Sequence, residues 1–280
     1  YTALAETSGR TRDSVPCCMQ GLNAVCDVLE TIPRQYSAPW DPQEPILDLV
    51  LTTLSLYEIL LPLCANEADL KEVLVLFERQ VRSTITILRG VEEAGEMGER
   101  VLDLSLILLN LCSTVGEGLP YGATSTTTIH ETVWMAVQVA VRYSVLDEQS
   151  CCVKYDPTSE MGVQYDQGEE GQARKGLRDA LRQCCRAFPG ILPLLLGELH
   201  HVVREFTSNP ITASWQSAEA WVHATTAVTN CLLGDPPSAM AALELMTHPA
   251  LSVPCRPIHK FAVMLVGKLL PPLLLTNHLG

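Results

Sequence analysis

Apolar side chains recur three and four residues apart along most of this chain, the spacing of helices that bury one face. Leu22, Val25, Cys26 and Leu29 predict a helix over Ser14 to Ile32, with Pro33 as its stop. Pro39, Pro42 and Pro45 mark Arg34 to Pro45 as a connector. Ile46 to Leu61 is apolar nearly all round, which predicts burial on two sides, and Pro62 ends or bends it. Asn66 then reads as an N-cap, with Asp69 in the place of a capping-box acid. The next helix carries a stripe of Leu70, Val73, Leu74, Phe77, Val81 and Ile85, with Lys71, Glu78, Arg79 and Arg82 on its other face.

Gly95 and Gly98 predict a turn, Val101, Leu104, Leu108, Leu111 and Cys112 the next stripe, and Gly116 and Gly118 its end. After a polar connector, Ile129 to Leu146 predicts a helix with Val133, Val137, Ala140 and Val141 on one face. Residues Asp147 to Gln172 read as a loop, and Ala173 to Phe188 and Ile191 to Phe206 as helices. Ser214 caps a helix predicted to run through Leu233, and Gly234-Asp235-Pro236-Pro237 is a sharp turn. Ser238 to Met246 and Ile258 to Leu270 are the last helices predicted, and Pro271 and Pro272 weaken any helix beyond them.

The pattern predicts about nine or ten helices without strand alternation, paired through short turns roughly every 35–50 residues. No single pair can bury both of its apolar faces, whereas stacked neighbours do. The predicted fold is all-α, a HEAT-like solenoid of helical hairpins forming one continuous array over residues 1–280.

Composition sharpens this picture. Leu, Ala and Val abound and aromatic residues are only 5%, which suits helices better than sheets. The formal charge of −13 disfavours direct nucleic-acid binding. The same field attracts basic proteins, or serves solubility alone. The 11 cysteines include the vicinal pairs Cys17-Cys18, Cys151-Cys152 and Cys184-Cys185, which cannot staple a fold, so a reducing compartment is expected. The first residue is Tyr1, and nothing in the opening residues reads as a targeting peptide; a fragment of a longer chain is expected. Asp48, Glu58 and Asp103 interrupt the most apolar stretches, so no membrane span is expected.

Signatures of catalysis are missing from the sequence: there is no phosphate loop and no nucleophile elbow. His200 and His201 lie beside Glu198 and Glu205, but H-E-x-x-H is absent, and the Cys pairs lack C-x-x-C spacing. No enzyme activity, cofactor or metal is expected. Two charged surfaces stand out. Asp156, Glu160, Asp166, Glu169 and Glu170 lie in the acid-rich loop placed at 147–172, either a solvated segment or a strip for a Lys/Arg-rich protein. Arg174, Arg178, Arg182 and Arg186, spaced by four, form a stripe along one helix. That stripe is either a solvated face, paired in part with Glu170, or a clamp for an acidic partner.

The C-terminal third carries a resemblance. Trp215-Gln216-Ser217-Ala218-Glu219-Ala220 opens a helix with a Trp followed four and five residues on by Glu-Ala, and Met264-Leu265-Val266-Gly267-Lys268 lies in a later one. These segments, with weaker likeness over Ser14 to Glu30 and Glu92 to Leu119, resemble the importin-β superfamily, specifically its transportin-SR and importin-thirteen branch. The resemblance implies a nuclear transport receptor that shuttles between cytoplasm and nucleus. It would bind basic or Arg/Ser-rich protein cargo, nucleoporins and, through the full-length protein, Ran carrying GTP. It implies partners that are neither nucleic acid nor membrane. The sequence departs from the family between about Leu119 and Cys151, where less helix can be placed, and nothing matches the family's Ran-binding segment. The alternative is a HEAT-type scaffold or regulatory subunit outside transport.

Overall fold

A computed structural model describes residues 15–35, 44–64, 67–89, 96–118, 127–144, 169–209, 214–247 and 256–277. Those residues form eleven α-helices and one 3-10 turn, with no strand among them. The chain packs as two compact units, Tyr1–Val139 and Ala140–Gly280.

The first unit contains α1 (Val15–Gln35), α2 (Glu44–Leu60), the 3-10 turn Leu61–Leu63, α3 (Glu67–Arg89), α4 (Glu96–Gly118) and the greater part of α5 (Thr127–Tyr143). Helix α1 packs on α3, and α2 packs on both α3 and α4. Leu22, Cys26 and Leu29 on α1, and Val73, Phe77 and Val81 on α3, are buried as the helical spacing requires. Tyr57 of α2 meets Phe77 of α3 edge to face, centroids 5.2 Å apart. Arg79 draws α1 and α3 together outside that core. Its Nε donates to Glu30 at 2.8 Å, and its two terminal nitrogens donate to Asn23 at 2.7 Å and Asp27 at 2.9 Å. The acceptors lie at successive turns of α1, so one guanidinium spans two turns.

Two boundaries and one burial pattern differ in particular from the sequence reading. Helix α1 runs past Pro33 to Gln35, because a proline in a last turn removes only one hydrogen bond. Gly98 falls inside α4. Helix α2 is buried on one face, not two: Leu47, Val50, Leu54, Tyr57 and Leu60 are covered, while Asp48, Leu51, Glu58 and Ile59 are exposed. Pro45–Leu63 is long and apolar enough to cross a membrane by length and composition. Asn66, read as an N-cap, lies outside the described residues.

The second unit contains the end of α5, α6 (Glu169–Ala187), α7 (Ile191–Ser208), α8 (Trp215–Ala227), α9 (Thr229–Leu233), α10 (Pro236–Met246) and α11 (Arg256–Asn277). Helix α8 is central and packs on α6, α7 and α11, while α10 packs on α7 and α11. Every side chain from Ala218 to Thr229 is buried. Ser214 caps α8 as expected, its hydroxyl accepting from the Ser217 amide at 3.2 Å. The helix does not continue unbroken to Leu233, because it bends at Val228. Thr225, Thr226 and Thr229 each donate back to a carbonyl one turn earlier, at 2.9, 2.8 and 2.6 Å. Such back-bonding satisfies buried hydroxyls and bends helices. Helix α11 runs through Pro271 and Pro272 to Asn277, well beyond the predicted end at Leu270. Pro271 is exposed, and a proline ring at the surface needs no neighbour to move aside.

Two substitutions test this packing. Phe77→Ala empties a site closed by Tyr57 and should cost about 3–5 kcal/mol in urea unfolding. Gly197 lies inside α7, and a Cβ added there meets nothing within 4 Å. Gly197→Ala should therefore raise stability by about 1 kcal/mol, because alanine orders into a helix at lower entropic cost.

Candidate functional site

Helix α6 begins at Glu169, four residues before the predicted Ala173. Acids are favoured in a first turn by the helix dipole, so Glu169 and Glu170 extend the helix. Of the candidate acidic strip, these two residues form that first turn. Asp156, Glu160 and Asp166 lie outside the described residues.

The arginine row of α6 lies against α8 and α9 in a fixed register. Arg174 reaches Glu219, and Arg182 reaches the carbonyl of Ala227, each 45 residues on. Arg178 acts on His223 and Arg186 on Cys231, at the same offset and through charge. Two helices whose side chains meet at four-residue steps are packed along their i, i+4 ridges. Down the row the side chains go from buried to exposed: Arg174 is covered, Arg178 and Arg182 are half-buried, and Arg186 is in solvent.

Arg174 and Glu219 form the buried end of the row. Arg174 is 6% exposed and Glu219 is fully buried. The guanidinium forks the carboxylate, Nη1 donating to Oε1 at 2.9 Å and Nη2 to Oε2. Its Nε donates to the Ser144 carbonyl at 3.0 Å, just past the end of α5. One side chain thus ties three segments of the unit together, and none of its three donor nitrogens is left without an acceptor. A buried charge is tolerated only with such completeness.

His223 stands one turn beyond Glu219 and is 1% exposed. Burial, reinforced by the Arg174 and Arg178 guanidinium groups, pushes its pKa well below the ordinary imidazole value, so it is neutral at pH 7.

Beyond His223 the row opens into a cleft of about 270 Å³, lined by Arg182, Thr226, Thr229, Asn230, Leu233 and Lys268. Arg182 Nε donates to Ala227 O at 2.8 Å, where the bend of α8 leaves that carbonyl without a helical partner. Its Nη1 donates to Asp179 at 3.1 Å. Lys268 comes from α11, and its pKa is lowered by partial burial and by the charges of Arg182 and Arg178. A second, mostly apolar groove of about 220 Å³ is lined by His200, Val203, Arg204, Thr207 and Leu245. His201 Nε2 lies 3.9 Å from Glu205, on an exposed face. Among the described residues no group of three or more His, Cys, Asp or Glu is placed to hold a metal.

Glu219, His223 and Lys268 carry the electrostatics of this site, and charge spacing along α6 did not identify them. For Glu219 and His223 the signal was an acid and an imidazole, one turn apart, in a stretch from Ala218 to Ala227 otherwise made of small and apolar residues; Lys268 carried no comparable signal. The chain matches no protein-family model, no curated protein and no solved structure.

Glu219→Gln leaves the Arg174 charge buried without its counter-ion and should cost about 3–5 kcal/mol in urea unfolding. Arg174→Met should cost as much. The double substitution, which removes both charges, should cost much less than their sum. His223 makes stability pH-dependent. Its unfolded pKa lies near ~6.5 and its folded pKa below that, so the unfolded chain takes up the proton first as pH falls. Stability should decline from about pH 6.5 downward, by up to about 1.4 kcal/mol per pH unit from this group. His223→Gln should flatten that decline by close to one proton in the slope of unfolding free energy against pH.

Proposed function

We propose that this chain is a polypeptide-binding array of stacked helical hairpins, and that it serves as part of a nuclear transport receptor. The observation that carries the reading is the packing order within each unit. In the first, α1 packs on α3 and α2 on α4; in the second, α6 packs on α8, α8 on α11, and α7 on α10. With the bent pair α8 and α9 counted as one helix, each of these contacts lies two along, and together with contacts between sequence neighbours that is what a row of HEAT-like hairpins requires. An array of that kind buries its apolar stripes between repeats and leaves broad flanks for a partner.

The acidic charge of −13 supports a basic, Arg/Ser-rich cargo, attracted over the surface as a whole. The Trp215-to-Ala220 segment adds sequence support for the transport reading. It forms the capped first turns of α8, where Glu219 is held by Arg174. On this reading the function is binding and release without covalent chemistry, and cargo and Ran-GTP are coupled through different affinities for two curvatures of the array. The receptor shuttles between cytoplasm and nucleus.

A pull-down with the full-length protein tests the proposal. It should retain Ran loaded with GTP and not Ran loaded with GDP, and Ran-GTP should displace a bound Arg/Ser-rich peptide. Equal retention of both nucleotide forms, or of neither, would favour a scaffold that organises another complex.

A further inference from the structure

The cleft at the bend between α8 and α9 is cationic in a protein whose charge is strongly negative. From its chemistry we infer that it is a carboxylate-binding subsite, taking an Asp or Glu side chain from an acidic segment of a protein partner. The inference is independent of the transport reading, which assigns basic cargo to the acidic surface.

Two cations from different helices meet there. Arg182 of α6 and Lys268 of α11 both line the cleft, and Asn230 stands at its exposed edge. The charge is poorly compensated. Asp179 pairs with Arg182 through Nη1, and it is half exposed on the solvent side of α6. Lys268 makes no ion pair among the described residues and has Arg182 and Arg178 as its electrostatic neighbours. Like charges gathered in a partly buried pocket cost free energy that an incoming anion recovers.

The donor inventory selects the kind of anion. Arg182 has given its Nε–H to Ala227 O and one Nη1–H to Asp179, which leaves the second Nη1–H and both of Nη2. Thr226 and Thr229 have spent their hydroxyl protons on helix carbonyls. What remains is three guanidinium N–H groups, the Lys268 ammonium and the Asn230 amide. Of the groups that line the cleft, the two cations, set against Asp179, leave one positive charge. That set suits a carboxylate, with one negative charge, and falls short of the charge of a phosphate dianion. The negative surface elsewhere does not forbid the encounter at physiological salt, where charges beyond about 8 Å are screened.

The test is fluorescence anisotropy at ~0.15 M salt with three labelled peptides: four Glu flanked by Gly, the same with four Gln, and the same with one phosphoserine replacing the Glu run. The Glu peptide should bind at least about tenfold more tightly than the Gln peptide and more tightly than the phosphoserine peptide. Lys268→Ala should weaken it by about fivefold or more, Lys268→Glu should abolish binding, and Asn230→Ala should have a smaller effect. Both positions are exposed, so circular dichroism should be unchanged. Lys71→Ala, on the exposed face of α3, should bind like the unaltered chain. Equal binding of Glu and Gln peptides, or tighter binding of the phosphoserine peptide, would overturn the inference. So would a Lys268→Glu variant that binds the Glu peptide normally.

Discussion

The second unit is organised around a guanidinium that has nowhere to go. Arg174 is withdrawn from water, and its charge is tolerable only because Glu219 takes two of its nitrogens and the Ser144 carbonyl the third. Each acceptor comes from a different segment, so satisfying one side chain sets the positions of α6, α8 and the end of α5. Apolar burial could be met by many slid arrangements of the same helices. A forked ion pair at full burial is met by few, and that is how a polar contact contributes register where it contributes little net stability.

The register fixed at Arg174 has consequences along the row. With Glu219 opposite Arg174, four-residue steps bring Arg178 to His223, Arg182 to Ala227 and Arg186 to Cys231. The bend at Val228 falls within this ladder. Three threonine hydroxyls turned onto helix carbonyls favour the bend, and Arg182 accommodates it by donating to Ala227 O. The cleft that holds Arg182 together with Lys268 is built around that bend. One buried ion pair, a run of threonines and a cationic pocket are thus parts of a single arrangement. In the first unit the comparable tie is Arg79, but it lies at the surface and its ion pairs are exposed. There the aromatic contact of Tyr57 with Phe77 and the apolar stripes account for the packing.

Much of the architecture could be read from spacing. Stripes such as Val73, Phe77 and Val81, or Leu195, Leu199 and Val202, repeat with the helical period, and each is buried. What spacing could not reveal is which face a charged row turns inward. Arg174, Arg178, Arg182 and Arg186 look alike as a pattern, yet only one lies fully inside, because only position 219 opposite them carries an acid. Helix α2 shows the converse. Its apolar residues nearly encircle it, but exposure of Leu51 and Ile59 follows from how many neighbours it has, which composition does not state. Pro33 was read as a stop, and Pro271 and Pro272 as weakening any helix beyond them, because a proline removes a donor. Pro33 lies in a last turn, where the loss is small, and α11 continues past the other pair to Asn277.

Hydrogen exchange read by mass spectrometry reaches the central claim most directly. In the unaltered protein the amides of α8 between Ala218 and Val228 should be the slowest to exchange in the second unit. In Glu219→Gln, exchange should quicken together in α8, in α6 around Arg174 and at the end of α5 near Ser144, while α10 changes least. Faster exchange confined to the immediate surroundings of residue 219, or none at all, would contradict an arrangement held by that one ion pair.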